Sequence, residues 1–223
     1  MSGNSRIVIS NQIGVHPDLP ELVNKHLKTR FKKPFQSHSL NAFERCHQII
    51  QQERKPLILD SGCGVGMSTA IIAEQNPDHW VIGIDRSSNR LNRNQQDPSF
   101  FVDGNKILIR ADLEDFWRLA VDEKWTLAKH YFLYPTPYPK KKHIQRRWHG
   151  HPVLPALLAL GGDMELRSNW PIYLEEFIQT IEIANYGTGV MKELTPSTFI
   201  TPFEKKYFDS GQPIYQAIIK EVK

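Results

Sequence analysis

The feature that most constrains this fold is a short apolar run followed by a glycine-rich turn and a helix. Residues 57–59 are apolar and end at Asp60, glycines alternate along 62–66, and 68–75 has the composition of a helix. Glycines let a ligand approach the backbone closely, and the following helix N-terminus offers free N–H groups. A glycine loop alone is a weak signal, so its context decides what it means.

The context is an alternation of apolar runs and helical patterns along the chain. A second apolar run ends at Asp85. In nucleotide-binding α/β folds, an acid about 20 residues after the glycine-rich turn binds the ribose hydroxyls, and Asp85 lies at about that separation. The alternation favours a mostly parallel sheet covered by helices, with ligands at the carboxyl ends of the strands. Asp60 and Asp85 could be simple turn residues, but the glycines between them favour a cofactor site. Asp112 follows a third run, and in isolation it is better explained as the N-cap of the next helix. The predicted strands are 57–59, 80–84, 106–110, 131–134 and 164–166, and the predicted helices are 39–54, 68–75, 113–121, 152–160 and 170–184.

A proline-rich basic segment follows the apolar run 131–134. Prolines remove ladder hydrogen bonds and end the strand, and a cluster of cations, with Trp148 after it, follows at once. Cations beside flat rings suit an anionic partner that carries rings, such as RNA, whereas a charge run alone is more often a solvated loop. Tyr134 and Tyr138 either cover the core at the strand end or stack on a base.

Composition indicates one ordinary globular domain. The chain has 223 residues, 40% of them hydrophobic and 23% charged, with a net charge of +4. We predict a loosely structured basic arm over 1–38 and a single domain over 39–223. The basic clusters at 25–33 and 140–147 suit a phosphate backbone.

Other protein classes are not indicated. The two cysteines imply neither a disulfide framework nor a zinc site, and His143, His149 and His151 lack further ligands at metal-binding spacing. The N-terminus lacks a signal-peptide layout, and the longest apolar stretch, around 153–160, is too short to cross a bilayer. These features predict a cytoplasmic location and no membrane partner.

The motifs resemble those of a known family. The spacing of Asp60 and the three glycines is similar to the first motif of class I S-adenosylmethionine-dependent methyltransferases. More narrowly, residues 135–147 resemble the P-D-P-W-P-K-K-R-H segment and following arginines of the tRNA (guanine-N7)-methyltransferase family. SNWPIY at 168–173 and TPFEKKY at 201–207 resemble that family's T-D-W-x-x-Y and T-K-F-E segments.

The resemblance implies a Rossmann-like α/β fold with a mostly parallel seven-stranded sheet and helices on both faces. It implies S-adenosylmethionine as cofactor and tRNA as partner, with Asp85 on the cofactor ribose. The implied cofactor-binding residues are Asp60, Gly62, Cys63, Gly64, Gly66, Asp85, Arg86, Ala111, Asp112 and Tyr134. The implied substrate-binding residues are Pro135, Tyr138, Lys140, Lys141, His143, Arg146, Arg147 and Thr201, and the catalytic positions are Thr136, Asn169 and Glu204.

Two departures from the family pattern remove negative charge from the expected acceptor pocket. Thr136 and Asn169 stand where the family has aspartates, which leaves Glu204 as the remaining pocket carboxylate. Guanine N7 carries a lone pair and no proton, so its methylation needs orientation more than a strong base. A carboxylate would accept from guanine N1–H and the exocyclic amine, whereas Asn169 offers both an acceptor and a donor.

Three functions fit these sequence features. The favoured one is a tRNA guanine-N7 methyltransferase. The loss of both aspartates motivates a divergent relative that methylates a small heterocycle or another nucleobase. A non-catalytic RNA-binding relative is the third, and the intact glycine motif argues against it.

Overall fold

The structure is a computed structural model that describes residues 5–91 and 99–222. Its contacts divide the described chain into two compact units. The glycine-loop unit comprises 32–132 and 159–162, without the undescribed residues 92–98. The basic-loop unit comprises 5–31, 133–158 and 163–222.

The glycine-loop unit is built on strands that run mostly parallel. Their order is β3-β4-β2-β1-β5, in which β3 alone pairs antiparallel. Every residue of β1 and β2 is buried, as expected for continuous apolar strands that are covered on both faces. The strands are β1 Leu57–Ser61, β2 Trp80–Asp85, β3 Phe100–Asp103, β4 Lys106–Arg110 and β5 Leu127–Leu133, whose last residue belongs to the basic-loop unit.

Helices pack on this sheet through an aromatic cluster and close backbone contacts. The helices are α2 Ser37–Gln52, α3 Met67–Gln75, α4 Ser88–Leu91 and α5 Leu113–Asp122. The Phe43 ring of α2 lies 5.1 Å from the rings of both Phe116 and Trp125. Gly83 in β2 leaves room for α3, because a Cβ there would meet Thr69 Oγ1 at 2.3 Å. Such close packing holds the N-terminus of α3 against the carboxyl ends of the strands.

The basic-loop unit contains three antiparallel strands in the order β6-β8-β7. Helix α7 packs on all three strands, and α1 packs on α7. A buried apolar cluster packs against the basic segment through Ile144. Its members are Leu19, Val23, Ile144 and Leu154. The elements are α1 Leu19–Leu27, α6 Leu154–Ala159, β6 Asp163–Ser168, α7 Pro171–Ile183, β7 Gly187–Glu193, α8 Pro202–Asp209 and β8 Tyr215–Glu221, with 3-10 turns at Lys141–Arg146 and Trp148–Gly150.

The expected α/β class is confirmed, with two differences in detail. The described residues contain eight strands where seven were expected. The expectation of loose structure over 1–38 misses helix α1, whose Leu19 and Val23 are fully buried. The first four residues of that segment lie outside the described range, and the domain boundary at 38/39 stays a prediction. No helix among the described residues is both long enough and apolar enough to span a membrane.

Candidate active site

The glycine loop lies at the carboxyl ends of β1 and β2. The backbone N–H groups of Gly62 and Cys63 donate to the Ile84 carbonyl at 2.8 and 3.0 Å. Gly62, Gly64 and Gly66 all have positive φ values. These values lie in the left-handed region, where glycine carries no steric cost. The loop conformation therefore requires the residue type that the sequence supplies.

Asp85 joins the loop to the end of β2. Its Oδ2 accepts from the Gly64 N–H at 3.0 Å and its Oδ1 from the Ser87 N–H at 2.8 Å. The Ala111 N–H donates to the Asp85 carbonyl at 3.3 Å. Asp85 is buried, whereas Arg86 beside it is exposed. The structure thus brings Asp85, the glycine loop and Ala111 together at one edge of the sheet.

Asp112 lies at the N-cap position of α5, but its side chain makes no capping hydrogen bond. Its carboxylate lies 3.9 Å from His38 Nε2, and its N–H donates to Ser39 Oγ at 3.1 Å. Helix α2 begins at Ser37, two residues before the start of the predicted helix 39–54. Asp112 is half-buried and keeps a carboxylate that the helix does not use.

Asp60 is fully buried and holds the first turn of α3. Its Oδ2 accepts from Ser68 Oγ at 2.6 Å and from Thr69 Oγ1 at 2.7 Å. Burial, opposed by these two hydrogen bonds and assisted by the charge of Asp85, raises the pKa of Asp60 to about 6. Its Oδ1 is buried without a hydrogen-bond partner in the described structure. Asp60 therefore fixes the first turn of α3, directly after the glycine loop.

Cys63, between the first two glycines of the loop, is buried and forms no disulfide. Burial, followed by the negative charges of Asp60 and Asp85, raises the pKa of its thiol well above the usual range.

The glycine loop fits the cofactor that the motif implies. A Cβ built on Gly62 or Gly64 would meet no atom within 4 Å, so open space lies directly over this part of the backbone. Asp85 accepts from two backbone N–H groups and, at 3.4 Å, from Arg90 Nη1. An ionised carboxylate has about four acceptor positions, so Asp85 retains capacity for ribose hydroxyls. A free backbone surface beside a carboxylate is what S-adenosylmethionine requires.

In the basic-loop unit, Glu204 is the centre of a buried polar network. It is fully buried; its Oε1 accepts from Arg167 Nη1 at 2.7 Å and from the Tyr134 hydroxyl at 2.9 Å. Its Oε2 accepts from the Ile200 N–H at 2.8 Å. Thr201 caps α8, with Oγ1 accepting from the Glu204 N–H at 3.0 Å. Both oxygens of the expected pocket carboxylate thus accept hydrogen bonds from the protein itself.

Tyr134 is fixed by two contacts at the end of β5. Its N–H donates to the Arg167 carbonyl at 2.8 Å, and its hydroxyl donates to Glu204. Its φ is positive, which is unusual for a bulky residue. Burial, followed by the charge and hydrogen bond of Glu204, raises the pKa of its hydroxyl, which stays protonated and donates. The structure places Tyr134 in the basic-loop unit rather than in the glycine-loop unit with the other expected cofactor residues.

The two positions that depart from the family pattern have different surroundings. Thr136, between half-buried Pro135 and Pro137, is exposed and makes no hydrogen bond to any described residue. Asn169 is half-buried, and its Nδ2 donates to Gln212 Oε1 at 2.8 Å. Asn169 is therefore anchored, whereas Thr136 is not.

Arg147 was expected to bind substrate, but the structure buries it completely. Its Nη1 donates to Glu176 Oε2 at 2.5 Å, and its Nη2 donates to Gln12 Oε1 and the Tyr138 carbonyl, each at 3.0 Å. The guanidinium also lies 4.7 Å from the centroid of the Trp170 ring. A buried charge must be paired because its desolvation is costly, and Glu176 supplies that pair. Arg147 therefore fixes the loop and presents no charge to solvent.

Glu176 also ties the N-terminal segment to the basic loop. Its Oε1 accepts from Gln12 Nε2 at 2.5 Å and from the His16 N–H at 3.0 Å, and its Oε2 lies 2.8 Å from His149 Nε2. Burial alone would raise the pKa of Glu176, but hydrogen bonds and charge from His149 and Arg147 lower it to about 2.

The other cations of this loop are on the surface. Lys140, Lys141, Lys142 and Arg146 are exposed, and the Arg146 guanidinium lies 5.8 Å from the centroid of the Tyr138 ring. Together with Ile9–Asn11, His16 and Asp18, the three lysines line an open groove of about 660 Å³. Partial desolvation and then neighbouring cations lower the pKa of His143, so it is neutral at pH 7.

Sequence reasoning missed Glu176, Gln12, Arg167 and Gln212. Glu176 carried one available signal, which is a carboxylate on the mostly apolar buried face of α7. The other three carried none. Gln12 and Gln212 bond residues far away in the chain, and Arg167 bonds distant Glu204 as well as Glu165 in its own strand. Among the described residues, no cluster of three His, Cys, Asp or Glu side chains could hold a metal ion.

The parallel strands, the glycine loop and the carboxylate at the end of β2 define a class I S-adenosylmethionine-dependent methyltransferase. Solved structures agree on the fold. The structure described as "Structure of an Antibiotic Related Methyltransferase" matches with a TM-score of 0.57 at 16% identity, over 89% of this chain and 98% of that one. The prediction of a Rossmann-like fold is therefore confirmed.

The family is shown by the sequence. Residues 54–217 match the model of the family described as "Putative methyltransferase", and the chain belongs to this methyltransferase family. A "tRNA (guanine-N(7)-)-methyltransferase" of Mycoplasma genitalium is 28% identical over 76% of this chain and 86% of its own length. One of Nocardioides sp. with the same description is 26% identical over 71% of this chain, which spans 65% of that relative. The resemblance indicated by the motifs is thus confirmed.

Proposed function

We propose that this methyltransferase modifies N7 of a guanine in tRNA. The observation that carries the proposal is the row of exposed cations, Lys140–Lys142 and Arg146, on a loop fixed from beneath by Arg147 and Glu176. Relatives described as tRNA (guanine-N7)-methyltransferases support it, because they align with most of the chain. A tRNA substrate would place the activity in the cytoplasm.

The basic loop is suited to the ribose-phosphate backbone. Binding of cations to phosphates releases counterions and makes affinity fall steeply with salt. A loop already held in one conformation loses less entropy on binding than a mobile one. Buried Arg147 and Glu176 supply that order, and the exposed lysines supply the charge.

Methylation of guanine N7 does not require a strong general base. When bound, S-adenosylmethionine supplies an electrophilic methyl group on its sulfonium. Guanine N7 has a lone pair and no proton to lose, so the residues around it need to orient the ring and exclude water. Tyr134, held by Glu204, and Asn169, held by Gln212, are the ordered polar side chains that suit this role. The loss of the family's aspartates is therefore compatible with N7 methylation.

The test is methyl transfer from labelled S-adenosylmethionine to bulk tRNA that lacks N7-methylguanosine, followed by nucleoside analysis. We expect N7-methylguanosine as the product. Replacing Lys140, Lys141 and Lys142 by Ala should raise KM and reduce the slope of log affinity against log salt by about 0.7–0.9 for each phosphate contact that is lost. Lys192→Ala, which removes an exposed lysine from β7, is the matched control and should change neither.

A different outcome would redirect the proposal. If protein that binds S-adenosylmethionine leaves the tRNA pool unlabelled, tRNA is not its acceptor. Free heterocycles and other nucleobases would then be tested with the same labelled cofactor.

A further inference from the structure

A chain of hydrogen bonds fixes the amide of Asn169. Gln212 is buried beside it; Gln212 Oε1 accepts from Asn169 Nδ2 at 2.8 Å, and Gln212 Nε2 donates to the Ser5 carbonyl at 2.8 Å. Ser5 is itself held, because its N–H donates to Ser210 Oγ at 3.1 Å. The chain thus runs from a backbone carbonyl through one amide side chain to another.

The polarity of this chain decides which atom of Asn169 remains available. A backbone carbonyl can only accept, so the Gln212 atom that faces Ser5 must be the amide nitrogen. Gln212 therefore presents Oε1 to Asn169, and Asn169 must donate to it from Nδ2. The remaining atom is Oδ1 of half-buried Asn169, to which no described residue donates a hydrogen bond.

We propose that Gln212 is a positioning residue that makes Asn169 a hydrogen-bond acceptor for the edge of guanine that carries N1–H and the exocyclic amine. This inference rests on the proposed function and specifies its base selectivity. An asparagine free to rotate could present either its donor or its acceptor, whereas the locked amide presents only the acceptor. Asn169 then supplies, without a charge, the acceptor that a carboxylate would offer.

The acceptor selects against bases that lack donors at this edge. Guanine offers two adjacent donors there, while adenine offers an acceptor at N1. A site built to accept from an N–H strongly disfavours an analogue without it, because its polar group is left unpaired. The structure therefore assigns specificity for guanine to a pair of uncharged amides.

The experiment compares tRNA that carries guanosine, inosine or 2-aminopurine at the acceptor position. Inosine lacks the exocyclic amine, and 2-aminopurine lacks N1–H. We expect the wild-type enzyme to methylate at least one analogue about tenfold less efficiently in kcat/KM than guanosine. Gln212→Leu and Asn169→Leu should reduce that ratio towards one. Intrinsic differences in N7 reactivity cancel, because each variant is compared on the same three substrates.

Gln212→Glu separates amide orientation from simple tethering. A carboxylate can still accept from Asn169 Nδ2 but cannot donate to the Ser5 carbonyl, so it should keep the selectivity that Gln212→Leu loses. Gln48→Leu, at an exposed site on α2, is the control and should behave as wild type. Unchanged S-adenosylmethionine affinity in every variant would show that the proteins are folded.

The outcomes separate the two proposals. If wild-type enzyme makes no N7-methylguanosine in tRNA, the proposed function fails. If it does, and Gln212→Leu keeps the full selectivity or Gln212→Glu loses as much as Gln212→Leu, the assignment to Gln212 is wrong while the function stands.

Discussion

Arg146 and Arg147 are neighbours in the chain with opposite surroundings. Arg146 is exposed beside the Tyr138 ring, and Arg147 is fully buried against Glu176. The family motif predicts the same role for both, because both match its pair of arginines. The structure distinguishes them, and so should their substitution.

Arg147→Met should destabilise the protein, and Arg146→Met should not. Removing Arg147 leaves Glu176 as a buried charge without its ion-pair partner, which costs about 3–5 kcal/mol of unfolding free energy. Arg146→Met should stay within about 0.5 kcal/mol of wild type. It should instead weaken tRNA binding and its salt dependence. Urea unfolding and tRNA titration measure the two effects, and equal stability losses would contradict the different burial.

Glu176 should make stability depend on pH in acid. Its pKa is lowered from 4.5 to about 2, so the folded state holds the ionised form more tightly than the unfolded state does. The resulting stabilisation, about 3 kcal/mol, is present above about pH 4.5 and is lost as the pH falls through about 2. Glu176→Gln should therefore show a flatter unfolding free energy than wild type over this acid range. Parallel profiles would show that Glu176 titrates normally.

At the scale of elements, the glycine loop contains positions with different tasks. A Cβ on Gly64 would meet open space, whereas one on Gly66 would lie 2.6 Å from Leu108 Cδ1. Both positions have positive φ. Ala therefore costs about 1–2 kcal/mol of backbone strain at either one. Only Gly66→Ala adds a clash with the protein itself.

Gly64→Ala should therefore lower cofactor affinity more than it lowers the stability of the fold. Gly66→Ala should lower the stability more than the cofactor affinity. Calorimetric titration with S-adenosylmethionine should show the greater loss of affinity for Gly64→Ala. Thermal unfolding should show the greater fall in Tm for Gly66→Ala. A Gly64→Ala variant that binds the cofactor normally would mean that the open space over this residue is not used.

Elements with strong local patterns were predictable from sequence. Strands β1, β2 and β4 each contain a continuous apolar run, and the loop after β1 follows from its glycines. Strand β7 was missed because it alternates half-buried and exposed residues and contains Gly187 and Gly189, which disfavour a strand locally. Its antiparallel pairing with β8 stabilises it despite that composition.

Site residues were predictable where a motif carries them and not where tertiary contacts do. The cofactor loop needed only local spacing. The burial of Arg147 depends on Glu176, 29 residues later, and the orientation of Asn169 depends on Gln212, 43 residues later. No local pattern encodes such partners, because the fold alone brings them within hydrogen-bond distance.

For the whole molecule, the gain in unfolding free energy on cofactor binding should depend on residues of the glycine-loop unit. A ligand at roughly 100 times its Kd stabilises the protein it binds by about 2.7 kcal/mol through mass action. Glu176→Gln should gain as much from S-adenosylmethionine as wild type does, because Glu176 lies in the basic-loop unit. Asp85→Ala should gain less at the same cofactor concentration. Chemical unfolding with and without cofactor measures these gains, and a lost gain in Glu176→Gln would contradict the assignment.

The buried cysteine in the cofactor loop bears on how long such an enzyme can work. A methyl sulfonium is an alkylating agent, and the thiolate rather than the thiol is the reactive form of cysteine. Cys63 has a pKa raised well above its usual range by burial, Asp60 and Asp85, so it stays a thiol at neutral pH. The loop can thus hold an alkylating agent without being modified by it. The intact mass of the protein should stay constant through prolonged incubation with its cofactor.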